Sequence, residues 1–110
     1  MKKFLSLLLM LMFVSSVAYG QSSSYYYQKA QQCAQDYEYY MRQAREAEKW
    51  AESYYKSARN ASTLQGTRDF TYTAQQYEKA AREHYAKAQQ CAKQAEQYKR
   101  QGDNLARQGR

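Results

Sequence analysis

From Gln21 to Arg110 the chain contains no isoleucine, no valine and no proline. That gap constrains the fold more than any other feature. A packed sheet needs β-branched apolar residues along its strands, and this stretch has only its threonines to offer. What it has instead is 15 alanines, 15 glutamines and 12 tyrosines against two leucines, Leu64 and Leu105. Alanine, glutamine, glutamate, lysine and arginine are good helix formers, and no proline interrupts them. The expected class is all-α.

The punctuation divides the segment into two helices. Ser22–Ser24 is a capping stretch, and no breaker follows until Asn60–Gly66. The run "NASTLQGTRDF" has the composition of a turn, and Thr67 or Thr71 is suited to start the next helix. The reading is a helix over about 22–61, a turn over about 62–67 and a helix over about 68–107, with Gly102 and Gly109 loosening its end. Five acid–base pairs spaced four apart support both helices: Glu38–Arg42, Glu52–Lys56, Glu78–Arg82, Glu83–Lys87 and Glu96–Arg100.

Heptads run through both helices. In the first, Ala30, Tyr37, Ala44, Ala51 and Ala58 take the a positions, and Tyr26, Cys33, Tyr40, Ala47, Tyr54 and Ala61 the d positions. In the second, Ala74, Ala81, Ala88, Ala95 and Gly102 are a, and Tyr77, His84, Cys91, Tyr98 and Leu105 are d. Small residues at a seam let two helices approach to the short end of the usual interaxial range, with tyrosines filling the remaining space. The architecture expected is an antiparallel two-helix hairpin, coiled-coil-like, with an Ala/Tyr seam. One register opposes Tyr54 to Ala74, Ala51 to Tyr77, Tyr40 to Ala88 and Cys33 to Ala95, so that large faces small at nearly every layer. A second register alternates nearly as well but needs the turn at Ala61, inside the helical pattern.

Residues 1–20 read as a cleaved secretory signal peptide. Lys2 and Lys3 precede the apolar run Phe4–Val14, and small residues close it, with cleavage expected after Gly20 or Ala18. That apolar run is shorter than the ~20 residues needed to span a bilayer, so no transmembrane anchor is expected in the mature chain. Removing both lysines lowers the formal charge from +7 to +5, from 15 basic and 10 acidic residues. The expected location is secreted or periplasmic.

The hexapeptide "KAQQCA" occurs at Lys29–Ala34 and again at Lys87–Ala92, and each copy carries one of the two cysteines. Export favours oxidation, so Cys33 and Cys91 are expected to form a disulfide, within one chain or between two. Their register leaves them four residues out of step, an axial offset of ~6 Å that is borderline for a bridge. Two distant cysteines and a single histidine, His84, do not make a zinc site. No redox C-x-x-C, nucleophile triad or phosphate loop is present, and a two-helix rod encloses no pocket, so no enzyme, cofactor, metal or small-molecule substrate is expected.

The aromatics beyond the seam suggest a partner. Tyr27, Met41 and Tyr55 form an e-position stripe that Tyr85 and Ala92 continue on the second helix, while Trp50 stands at g on the other flank and Tyr39 lies further out. Such widening of an apolar stripe provides a second burial surface. The functional expectation is a small non-enzymatic structural or protein-interaction module whose interaction residues are Tyr27, Met41, Trp50, Tyr55 and Tyr85, with self-association as one mode. The alternatives are a binder of anionic polymers (envelope polysaccharide or nucleic acid) and a periplasmic chaperone-like clasp. Acids alternate with bases along both helices, and export argues against nucleic acid as partner.

Overall fold

The computed structural model describes residues 22–110; the expected signal peptide lies outside them. Two long helices, α1 (Ser23–Arg59) and α2 (Leu64–Arg107), fold back on each other through the loop at residues 60–63. Among the described residues there is no strand, and no helix is long and apolar enough to cross a membrane. The all-α hairpin expected from composition is the fold.

Its core is a line of small residues. Ala44, Ala47, Ala51 and Ala58 of α1 are buried against Ala74, Ala81, Ala88 and Gly102 of α2, every one of them an a or d position. The facing residues match the register with Tyr54 opposite Ala74. The Tyr54 ring lies between Phe70 and Tyr77, one turn to either side of Ala74, with centroids 6.2 and 5.6 Å away. Tyr40 contacts His84 and Lys87, on the turn next to Ala88, and Cys33 meets Gln94, the neighbour of Ala95.

The turn is tighter than its composition suggests. α1 ends at Arg59 and α2 begins at Leu64, so the loop is Asn60–Thr63 rather than about 62–67. Thr63 is the cause: its hydroxyl accepts from the Gly66 N–H at 3.0 Å, satisfying one of the otherwise orphaned donors of a helix start. Gly66 therefore sits in the first turn of α2 instead of ending the loop. The hydroxyl of Thr67, inside the helix, has two acceptors in reach, the Thr63 carbonyl at 3.1 Å and, across the seam, the Ala58 carbonyl at 3.3 Å.

The open end is closed by backbone. Ser22 is the N-cap of α1 but makes no side-chain capping bond; the Ser23 N–H instead donates to the Arg110 carbonyl at 3.0 Å. Gly109, with φ 73°, ends α2 in a Schellman turn: its N–H reaches the Ala106 carbonyl and that of Arg110 the Leu105 carbonyl. Gly102 does not loosen the helix. It is buried at the seam, where a β-carbon would stand 2.9 Å from Cε1 of Tyr27. Of the five expected intrahelical pairs, Glu96–Arg100 closes at 2.8 Å and Glu78–Arg82 stands at 4.0 Å. Both are well exposed, and such pairs contribute only a few tenths of a kcal/mol.

Cys33 and Cys91 are free thiols, not within bonding distance of each other. The register accounts for the absence of a bridge within one chain. Side chains on a helix lean toward its N-terminus, and in an antiparallel pair the two N-termini lie at opposite ends. Cys33 leans toward the open end and Cys91 toward the turn, which widens their axial offset. Burial, then the Asp36 carboxylate and Cys33 itself, raise the Cys91 thiol above its ordinary value. That keeps it protonated and poorly nucleophilic.

Candidate interaction surface

The hairpin has two unlike flanks. On the e side, tyrosines and carboxylates alternate across the seam. Tyr27 of α1 packs its ring on Gly102 and donates its hydroxyl to Oδ1 of Asp103 at 2.6 Å. The Glu78 carboxylate stands beside the Tyr55 hydroxyl, and that of Glu48 beside Tyr85, so each helix supplies one acid and one phenol to a reciprocal pair. Met41 lies half-buried on the same flank. Tyr27 thus has its hydroxyl bonded across the seam, and Tyr55 and Tyr85 each have a carboxylate of the facing helix nearby.

These contacts make the fold sensitive to alkali. Hydrogen bonding to a carboxylate raises the Tyr27 and Tyr55 hydroxyls above the ordinary 10.0; for Tyr85 desolvation leads and Glu48 adds to it. A phenol whose folded-state pKa exceeds its unfolded value contributes stability that is fully present below the unfolded pKa and lost as pH rises through the folded one. The melting temperature is therefore expected to hold from neutral pH to about 9 and to fall beyond about 10. Replacing Tyr27, Tyr55 and Tyr85 together by phenylalanine should flatten that alkaline slope, and an unchanged slope would show that the contacts carry none of it.

The opposite flank is aromatic and open. Tyr26, Tyr40 and Tyr54 recur every fourteen residues along α1, and Tyr98, His84 and Phe70 face them from α2 at centroid distances of 6.3, 6.3 and 6.2 Å. Tyr25 and Tyr39 each meet the next ring edge-on at 5.3 Å. At the turn end Trp50 stacks on Tyr77 at 6.2 Å and touches Tyr54 at 6.3 Å, completing a four-ring cluster with Phe70. Lys29 and Lys87 stand over the Tyr25 and Tyr40 rings at 5.6 and 5.7 Å. Trp50 and Tyr39 nevertheless remain 51% exposed.

Of the expected interaction residues, Trp50 alone belongs to this flank. Its neighbours Tyr77 and His84 are expected only as seam residues and Tyr39 as an outlying ring, and Phe70 is the member of this surface that the heptad reading leaves out. The signal for them is present as the fourteen-residue recurrence of tyrosine at d. A groove of about 240 Å³ runs between Gln43, Glu46, Ala47, Trp50, Tyr77 and His84. His84 lines it, but its Nδ1 is closed off from solvent and has no hydrogen-bond partner among the described residues. No protein-family profile, curated protein or solved structure matches this chain.

Proposed function

We propose that the chain is a small exported, non-enzymatic helical hairpin that serves as a protein-interaction module, and that its working surface is the aromatic flank centred on Trp50. Support for export is the charged, apolar and small-residue succession of residues 1–20. The observation that carries the interaction reading is the asymmetry of the flanks. The Tyr27 hydroxyl is bonded to Asp103 and Tyr55 and Tyr85 lie near carboxylates of the facing helix, whereas Trp50 and Tyr39 keep half their surface in water. Large amphipathic rings are favoured anchors of protein interfaces, because they bury much area at little entropic cost.

Site-specific photo-crosslinking in the native host tests the reading. A crosslinker at position 50 is expected to capture a protein partner, and one at position 55 is not. Capture that is equal at both positions, or absent from both, would refute the flank assignment. Binding that collapses with added salt would favour the anionic-polymer alternative instead.

A further inference from the structure

Trp50 also borders a wider depression on the outer face of α1. Its volume is about 570 Å³, and Arg42, Arg45, Glu46, Lys49, Trp50 and Ser53 line it. That is within the ~300–1,000 Å³ of clefts that hold ligands. Its floor is more apolar than polar, because the Trp50 ring and the aliphatic stems of the arginines and the lysine supply it. Its rim is cationic: three bases stand there against one acid, Glu46. None of the three is held by a carboxylate. The two ion pairs among the described residues, Glu78–Arg82 and Glu96–Arg100, both lie on α2, and Glu38 does not close on Arg42. Three unpaired cations thus surround an indole that is 51% exposed.

The complement of an apolar floor with a cationic rim is an apolar side chain flanked by carboxylates. We propose that the partner of the Trp50 flank is a protein that docks an acidic segment here. An apolar side chain of that segment covers the indole, and the carboxylates beside it pair with Arg42, Arg45 and Lys49. Guanidinium groups take carboxylates through two parallel N–H···O bonds, so the arginines fix orientation as well as charge. A second copy of this face does not fit, because it would set cation against cation. An anionic polysaccharide supplies the charge but not the apolar side chain. The acidity of the partner is additional to the role of Trp50 as its anchor, and depends on it.

Photo-crosslinking of the full chain in the native host tests the proposal, with the crosslinker at position 53, which lines the depression and leaves Trp50 in place. The captured peptide is expected to carry net negative charge. Arg42→Gln, Arg45→Gln and Lys49→Gln together should lower capture at least about tenfold. Helicity should be unchanged, because glutamine is about as good a helix former as arginine or lysine. Lys79→Gln, Lys93→Gln and Arg107→Gln together make the same change of charge on exposed positions of α2 and should leave capture as it was. Capture that both sets reduce equally, or that neither reduces, overturns the acidic partner, as does a captured peptide that is neutral or basic. In those cases capture from position 50 still upholds the flank assignment. A position 53 that captures no protein also overturns it. If the Trp50 emission of the purified chain then shifts with dextran sulfate and needs Arg42 and Lys49 to do so, the face belongs to an anionic polymer instead.

Discussion

Ala74→Leu is expected to destabilise the hairpin by about 3 kcal/mol, at the upper end of overpacking costs. Ala74 is fully buried opposite Tyr54, at a layer where the helices meet through a methyl group. Leucine adds three heavy atoms there. Either Tyr54 leaves its place between Phe70 and Tyr77, or the two helices separate. Separation is not local, because Ala51 and Ala58 lie within one or two turns along the same seam and would lose their contacts as well. For a domain of this size the change corresponds to a fall in melting temperature of roughly 10–20 °C. Ala86→Leu, on the exposed face of α2, is the control, and should stay within about 0.5 kcal/mol. A seam that absorbs leucine at position 74 without a lower melting temperature would show that the alanines do not set the helix spacing.

That spacing is also why the fold is legible in the sequence. Alanine at every seventh position specifies a narrow seam, and tyrosine at the intervening layers specifies what must face it. Ala30, Tyr37, Ala44 and Ala51 therefore carry both helix and register. The loop is less legible, because its end depends on one hydrogen bond, from the Gly66 N–H to the Thr63 hydroxyl, which a count of turn-forming residues does not reveal. Gly102 is misread for a related cause: a glycine near a helix end resembles a terminator, yet here it makes room for the Tyr27 ring.

The surface is legible only in part. Tyr27, Tyr55 and Tyr85 stand out as surplus aromatics, but their acidic neighbours lie on the other helix: Glu78 and Glu48 emerge only when facing e positions are paired, and Asp103 follows Gly102 at the open end. Glu48 then lies near Tyr85 and Glu78 near Tyr55, so part of the apparent docking stripe faces carboxylates of the hairpin itself. The aromatic flank is obscured in the opposite way. A second helix starting near residue 68 leaves Phe70 at its frayed start, and Tyr39 at c looks too far out to belong to the seam. The structure extends α2 to Leu64, which places Phe70 firmly within the helix, next to Tyr54. The unmet thiol pairing has a different origin. Equivalent heptad positions put Cys33 and Cys91 in neighbouring layers, but the lean of helical side chains directs them apart.

Tyr54→Ala should produce the second large loss, about 2–3 kcal/mol. Its ring is half-buried and meets three others: Tyr77 nearly parallel at 5.6 Å with a 10° interplanar angle, Phe70 at 6.2 Å and Trp50 at 6.3 Å. Removing a large aromatic from a full core costs about 3–5 kcal/mol, and partial exposure reduces that figure. The loss exceeds what apolar area alone would predict, because each aromatic pair adds roughly 0.5–1.5 kcal/mol beyond burial. Tyr54 links Trp50 of α1 to both Phe70 and Tyr77 of α2, so its loss should also release the indole. Emission from Trp50 is expected to move to the red while the helix signal persists at low temperature. Tyr54→Phe keeps the ring and should stay within about 0.5 kcal/mol. Tyr77→Ala combined with Tyr54→Ala should cost less than the two single losses together, because each removes the same stacked contact. Strict additivity, or an unmoved Trp50 emission in the Tyr54→Ala protein, would mean that the rings at the turn end stand side by side without supporting one another.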